Sequence, residues 1–402
     1  MIKTIQDHLR EELLGLIAEP VEEARRRESN EFDRRVGKHA DRLLLFGAGN
    51  LGRRTLSILR KSGRGPVGFI DNNPALWGRQ VEGLEVFHPA DAAARFGSRQ
   101  AAVVVTIWCG EASDKMSDRI EPLRSLGFSE IALFGHLAWK YPDTFLPHYS
   151  LDLPSRLLQQ TERIVRAFDL FEDQRSREIF LSHIRWRLHL DYDGLPLPVN
   201  DTIYFSSRLV RPSTDEFLID GGAFTGDTVQ SFLETFGRNG FRKILSFEPD
   251  PTNFQKLEQY LSALPADIRS KISALASALG DETAVINVES SGGPSSRVGH
   301  GDHQVPCRVI DEFIEGKSVP SFIKLDIEGY EPQALRGARQ TLTLGRPVVA
   351  ACAYHVQNHL WDIPLNLADN ISDYRYCLVP HLSDGWDLVL YAVPIERVPT
   401  HS

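Results

Sequence analysis

Cysteine is scarce: Cys109, Cys307, Cys352 and Cys377 are the only four in 402 residues, and none stands in CxxC spacing. That pattern excludes a disulfide framework and gives no zinc-site signal, so a reducing compartment fits best. Excess basic charge is missing too. The 45 Lys and Arg face 54 Asp and Glu, a net charge of -9, which gives no electrostatic reason to expect a nucleic-acid partner. No apolar run approaches the roughly 18 residues that a membrane helix requires. The opening residues, "MIKTIQDHLREELLGLIAEPVEEARRR", mix acids and bases through the apolar positions, unlike the core of a signal peptide. These absences leave a cytoplasmic protein without a membrane span.

What is present is ordinary globular composition, 42% hydrophobic and 25% charged, in a chain long enough for two or three cores. Residues 1–40 carry apolar residues at helical spacing (Ile5, Leu9, Leu13, Leu14, Ile17) and then a charge run. They read as an amphipathic helical segment packing on the next domain, with a homodimerisation element as the alternative. From Arg42 the signals alternate between strand and helix through "RLLLFGAGNLG", "GPVGFID", "AAVVVTIW" and "EIALFG", implying a parallel α/β domain over residues 41–145. Residues 146–200 are helical and polar until Pro196 and Pro198, a helical linker. A second α/β pattern fills residues 201–402, with strands at "EFLID", "KILSFEP", "ISALASAL", "AVINV", "FIKLDIEG", "PVVAACAYH" and "LVLYAVP". The expected fold is α/β: two doubly wound Rossmann-like domains joined by a helical segment.

The two glycine loops differ chemically. "GAGNLG" sets Gly47, Gly49 and Gly52 in G-x-G-x-x-G order between strand and helix, with Asp71 ending the next strand roughly 20 residues on. Such a loop admits a phosphate at the helix amino terminus and an acid for ribose hydroxyls. The plain alternatives are helix–strand packing for the glycines and a turn cap for Asp71. The stretch "VGFIDNNPALWGRQVEGLEVF" then resembles the nucleotide-binding domain of PglD-type sugar acyltransferases, over about residues 42–90. That resemblance implies a nucleotide or nucleotide-linked sugar at Gly47, Gly49, Gly52 and Asp71 rather than a redox cofactor.

In "FLIDGGAFTGDT" an acid, Asp220, directly precedes Gly221, Gly222 and Gly226, and the next strand ends in Glu248. Acids suit S-adenosylmethionine, which has no pyrophosphate. Glu248 would hold the ribose hydroxyls, the glycines would let the backbone pass close, Asp220 would help anchor the ammonium group through amides or water, and Ser277 and Ala278 would meet adenine. The motifs "FLIDGGAFTGDT", "FEPDPTNFQKLE", "FIKLDIEGYEPQALRGARQTL" and "YHVQNHLWDIPL", in that order, resemble the FkbM family of S-adenosylmethionine-dependent methyltransferases over about residues 175–395. The resemblance implies a class I methyltransferase fold with a mixed sheet in the carboxy-terminal domain. It also implies methyl transfer to hydroxyl groups of small natural products and sugars.

Within "FIKLDIEGYE", Lys324, Asp326 and Glu328 alternate with apolar residues and so project to one side of a strand. Methyl transfer to a hydroxyl requires positioning of the acceptor and removal of a proton. Asp326, Glu328 and His355 are the candidates, Asp326 and His355 at the carboxyl edge where open sheets bind ligands. Mg²⁺ held by Asp326 and Glu328 is the alternative, less favoured role. Lys324 reads as an ion-pair partner of Glu248 or Asp326, and Glu331 as a structural first-turn acid. Ser295, Ser296 and Arg297 in the loop "SSGGPSSRVGHGDH" are candidate substrate contacts, as are Tyr204 and Phe205, although core packing is the plainer reading of the latter pair. The expected activity is O-methylation of a small-molecule or glycan acceptor, a nucleotide sugar among the candidates, in polysaccharide or natural-product synthesis. The rivals are an NAD-dependent oxidoreductase using "GAGNLG" and a non-catalytic nucleotide-binding protein.

Overall fold

A computed structural model describes residues 2–97, 99–108, 115–288, 301 and 303–399, with side chains from residue 7. Ser295, Ser296, Arg297 and Cys109 lie outside the described residues. Among those described, no helix is long and apolar enough to cross a membrane.

Two sheets organise the chain. In the first, Leu43–Phe46 lies between Gly68–Ile70 and Ala102–Val105; Leu84–Phe87 and Ile131–Leu133 flank these in parallel, and the short antiparallel Gln80–Val81 forms one edge. Leu43–Phe46 and Ala102–Val105 are buried throughout, as unbroken apolar strands covered on both faces should be. Strand order reverses between them, which places "GAGNLG" at the switch point.

The second sheet has seven strands: β1 (Glu216–Gly221), β2 (Phe241–Phe247), β3 (Ile272–Leu275), β4 (Phe322–Leu325), β5 (Val348–Cys352), β6 (Tyr374–Pro380) and β7 (Leu388–Pro394). Their order is β3-β2-β1-β4-β5-β7-β6, with β7 antiparallel to both neighbours and all other pairs parallel. This is the mixed sheet expected, with two differences. "AVINV" (Ala284–Val288) does not join it; with Ala278–Gly280 and His303–Val309 it forms a separate three-stranded sheet. β4 is also shorter than its alternating pattern suggests, because its ladder with β1 and β5 ends at Leu325, leaving Asp326 to Gly329 in the following loop.

The opening helices divide between the two cores. Ile2–Ile17 packs on Thr161–Asp169 and Gln174–His189, burying Leu9, Leu13 and Ile17 in the core of the second sheet, not on the next domain as its position in sequence implied. Each such side chain contributes about 1.5–3 kcal/mol when fully buried. Val21–Val36 packs on Phe134–Lys140 and Pro154–Leu158, and its Phe32 and Val36 enter the core of the first sheet. The halves are also joined directly. Arg119 forms a buried ion pair with Asp384, and Trp108 Nε1 donates to the Asp384 carbonyl at 2.9 Å.

Candidate active site

A cavity of about 480 Å³ opens at the carboxyl ends of β1, β2 and β4. At one end it is lined by Gly222, Phe224, Asp227, Thr228, Glu248, Ser277 and Ala278. Gly222 has φ 75°, and a Cβ there would stand 1.8 Å from the Asp326 carbonyl oxygen, so only glycine keeps the loop against β4. Gly226, at φ 100°, caps the helix Asp227–Phe236, where a Cβ would meet the Tyr260 ring at 2.4 Å. Gly221 and Gly226 thus shape the loop without lining the cavity.

Glu248 closes β2 with both carboxylate oxygens in use: Oε2 accepts from Phe224 N and Oε1 from Asp250 N, each at 2.8 Å. Burial nevertheless raises it to about 7. Ser277 Oγ, in a residue only 4% exposed, has no hydrogen-bond partner among the described residues.

Asp220 does not reach the cavity itself. It is fully buried beneath the loop, 3.2 Å from Lys324 Nζ, and accepts from Ser246 Oγ at 3.2 Å. Lys324 Nζ also donates to the carbonyls of Gly221 at 3.0 Å and Gly222 at 2.6 Å. Its ion pair is therefore with Asp220, not with Glu248 or Asp326, because the ammonium meets the loop carbonyls before it reaches those acids. Burial alone would lower the Lys324 ammonium, but Asp220 and Asp326 raise it, so it stays charged.

At the other end stands Asp326, whose side chain is 28% exposed, with Glu328 beside it. Tyr204 donates its hydroxyl to Asp326 Oδ2 at 2.8 Å. His355 Nε2 lies 3.3 Å from Asp326 Oδ1 and 3.8 Å from Glu328 Oε1. The opposite ring nitrogen, Nδ1, lies 2.8 Å from Glu331 Oε1, which also accepts from Ile327 N at 2.9 Å; Glu331 Oε2 lies 3.2 Å from His359 Nδ1. His355 and the fully buried Glu331 do not line the cavity; they stand behind Asp326. Burial would lower His355, but Glu331, Glu328 and Asp326 lift it well above the usual imidazole range. Burial would likewise raise Asp326, but His355 and Lys324 bring it down to about 2.

The sequence-predicted residues thus separate into layers. Gly222, Glu248, Ser277, Ala278, Asp326 and Glu328 line the cavity, while Asp220, Gly221, Gly226 and His355 support it. Tyr204 lines it and Phe205 is core. Glu331 is more than a first-turn acid, since it holds His355. Tyr149, Tyr354, Trp386 and Asp387 also line the cavity without having been singled out. Asp227 and Thr228 stand in the quoted "GDT", a signal that was available; the loop "LSDGWD" offers only turn chemistry. Among the described residues no group of three or more His, Cys, Asp or Glu is arranged to hold a metal ion.

At the first glycine loop, Gly47 has φ 112°, and a Cβ on Gly52 would stand 1.9 Å from the Gly47 carbonyl oxygen, so both serve the turn and the close packing of the helix Asn50–Lys61. Gly49 has open space around it. Asp71 accepts from Ala48 N through Oδ2 and from Asn73 N through Oδ1, each at 2.8 Å. It braces the loop and the following turn together.

Residues 220–376, which contain this cavity's glycine loop, Glu248 and Asp326, match the model of the methyltransferase FkbM domain. The carboxy-terminal part of the chain is an FkbM methyltransferase domain. Consistent with that fold, the crystal structure of methyltransferase FkbM from Methylobacillus flagellatus superposes with a TM-score of 0.75 at 20% identity, covering 98% of this chain and 100% of that one. UDP-D-quinovosamine 4-dehydrogenase from Vibrio fischeri matches 23% of this chain and 75% of its own at 20% identity, with a TM-score of 0.20. The methyltransferase domain of bacterial CtHen1 matches 44% of this chain and 90% of its own at 10% identity, with a TM-score of 0.29. No curated protein matches the chain.

Proposed function

We propose that the protein transfers a methyl group from S-adenosylmethionine to a hydroxyl of a sugar or sugar-containing precursor, with Asp326 taking the proton. The observation that carries this reading is a single cavity lined by the glycine loop and Glu248 at one end and by Asp326 at the other. The residues fit the cofactor. Glu248 would hold the ribose hydroxyls, and the unpartnered Ser277 Oγ with Ala278 would meet adenine. Gly222 and Thr228 would face the amino-acid end at a helix amino terminus, where a carboxylate is favoured.

When bound, S-adenosylmethionine supplies the activated methyl group. The chain supplies placement and a proton acceptor. Tyr204 and His355 fix the two oxygens of Asp326, so its carboxylate is presented to the cavity in one orientation. An acceptor hydroxyl placed there loses its proton to Asp326. A carboxylate held near 2 suffices, because that proton becomes acidic as the oxygen gains its new bond. His355, charged and held by Glu331, steadies the carboxylate before transfer; the proton taken from the acceptor stays on Asp326 and leaves to solvent through the cavity. Alignment of this kind contributes on the order of 7 kcal/mol in favourable cases.

A nucleotide or nucleotide-linked sugar at Gly47, Gly49, Gly52 and Asp71 belongs to the same reading, supported by the open space at Gly49. Titrating a UDP-sugar and NAD separately into the full chain tests it, and binding of NAD alone would remove it. The methyl-transfer reading is tested with S-adenosylmethionine carrying a labelled methyl group and a panel of glycosides and nucleotide sugars. Label should enter a sugar hydroxyl with the wild type and fall at least about a hundredfold with Asp326→Asn. Unchanged transfer by that variant would remove Asp326 from the role.

A further inference from the structure

The acceptor end of the cavity is assembled from parts that the glycine-loop end does not use. Tyr149 comes from the segment after the first sheet, Tyr354 follows β5, and Trp386 and Asp387 lie on the loop between β6 and β7. Trp386 meets Tyr149 at 4.5 Å and Tyr354 at 5.7 Å between ring centroids, and the two tyrosines stack at 6.5 Å with 18° between planes. The loop is pinned from the other half of the molecule, through the buried Arg119–Asp384 pair and the Trp108 bond to the Asp384 carbonyl. Asp387 is therefore held in place on an aromatic wall.

Among the described residues, no cation pairs with it. Lys324 is the only basic side chain among them that lines the cavity, and it is committed to Asp220 and two loop carbonyls. His355 stands behind Asp326 and is bound to Glu331. Asp387 takes a hydrogen bond from Tyr354, while burial and the nearby Asp326 raise it to about 6. Two carboxylates facing one desolvated space favour a cationic occupant, and the rings around them favour the same charge.

We propose that Asp387 selects the acceptor by charge: the cavity takes a hydroxyl compound that also carries a protonated amine, an amino sugar in chemical class, and rejects one bearing a carboxylate beside the reacting hydroxyl. This rests on the methyl-transfer reading. Tyr149, Tyr354 and Trp386 would cover the sugar's apolar face and the ammonium, and Asp387 would accept the ammonium's hydrogen bonds.

The test is calorimetric titration of the full chain, saturated with S-adenosylhomocysteine, with methyl glucosaminide, methyl glucoside and methyl glucuronide. The glucosaminide should bind about tenfold or more tighter than the glucoside, and the glucuronide should not bind. In Asp387→Asn the preference for the amine should collapse to within about threefold, with S-adenosylhomocysteine binding reporting that the fold is intact. Equal binding of the glucuronide, no binding of any glycoside, or an amine preference that survives Asp387→Asn overturns the proposal. Failure of S-adenosylhomocysteine itself to bind overturns the methyl-transfer reading instead.

Discussion

Replacing Lys324 with methionine removes the cation beneath the glycine loop while keeping most of the side-chain volume. In the native chain its ammonium pairs with the fully buried Asp220 at 3.2 Å and donates to the Gly221 and Gly222 carbonyls. The variant leaves Asp220 with the Ser246 hydroxyl as its remaining hydrogen-bond donor. Breaking a buried pair in this way costs about 3–5 kcal/mol, because the remaining charge keeps its desolvation penalty. For a cooperative unit of about 150–250 residues that loss lowers Tm by about 6–20 °C. The sign with pH follows. An unpaired buried Asp220 has its folded pKa above its unfolded value, so the variant's deficit is largest at neutral pH and narrows as pH falls toward about 4. Urea unfolding at pH 7 and pH 5 measures both effects. The double variant Lys324→Met with Asp220→Asn should recover at least half of the loss, since the orphaned charge is gone. A loss below about 1 kcal/mol, or a double variant no more stable than the single one, would refute the assignment of this pair as the buried floor of the site.

Three further outcomes follow from the same geometry. Glu331→Gln should lower the His355 imidazole pKa, followed by NMR titration of its ring protons, and slow methyl transfer by about tenfold or more; an unmoved His355 titration would show that Glu331 does not act through it. Affinity for S-adenosylhomocysteine should rise as pH increases through about 7, where burial places Glu248, because the ionised carboxylate is the better acceptor for ribose hydroxyls. Glu248→Gln should flatten that profile, and a pH-independent wild type would contradict the assignment. Arg119→Met removes the buried ion pair to Asp384 and should speed hydrogen exchange at residues 381–387 before exchange in β4 changes; equal protection in variant and wild type would show that the two halves do not hold this loop.

The parts of the site that were legible in sequence are those whose chemistry is local. A glycine loop preceded by a strand, and an acid at the end of the next strand, occupy fixed offsets, so Gly222 and Glu248 stood where the cavity is. Asp326 and Glu328 reach the cavity as alternation implied, although the strand itself stops at Leu325. The alternation ends with the hydrogen-bond ladder, since Ile327 between them lines the cavity too and Glu328 stands at φ 54°, and sequence carries no mark of that end. Glu331 is the first-turn acid expected, but its hold on His355 was not legible, because that partner is 24 residues away and meets it only after β4 and β5 pair. Asp220 precedes the glycines, and its place under the loop beside Lys324 has no mark in sequence, because the pairing across β1 and β4 creates it. Trp386 and Asp387 had no signal at all, since their place depends on Arg119 and Trp108 from the other half of the chain. The opening helix was misplaced for a similar reason: its apolar stripe states that it packs, not which core it joins.

The central claim is that the cavity between Glu248 and Asp326 binds the methyl donor. Isothermal titration of S-adenosylhomocysteine into the full chain, wild type and Glu248→Ala, measures it most directly. The predicted result is one site per chain in the wild type, with at least about tenfold weaker binding when Glu248 is removed. No binding to the wild type, or equal binding to both, would contradict the account.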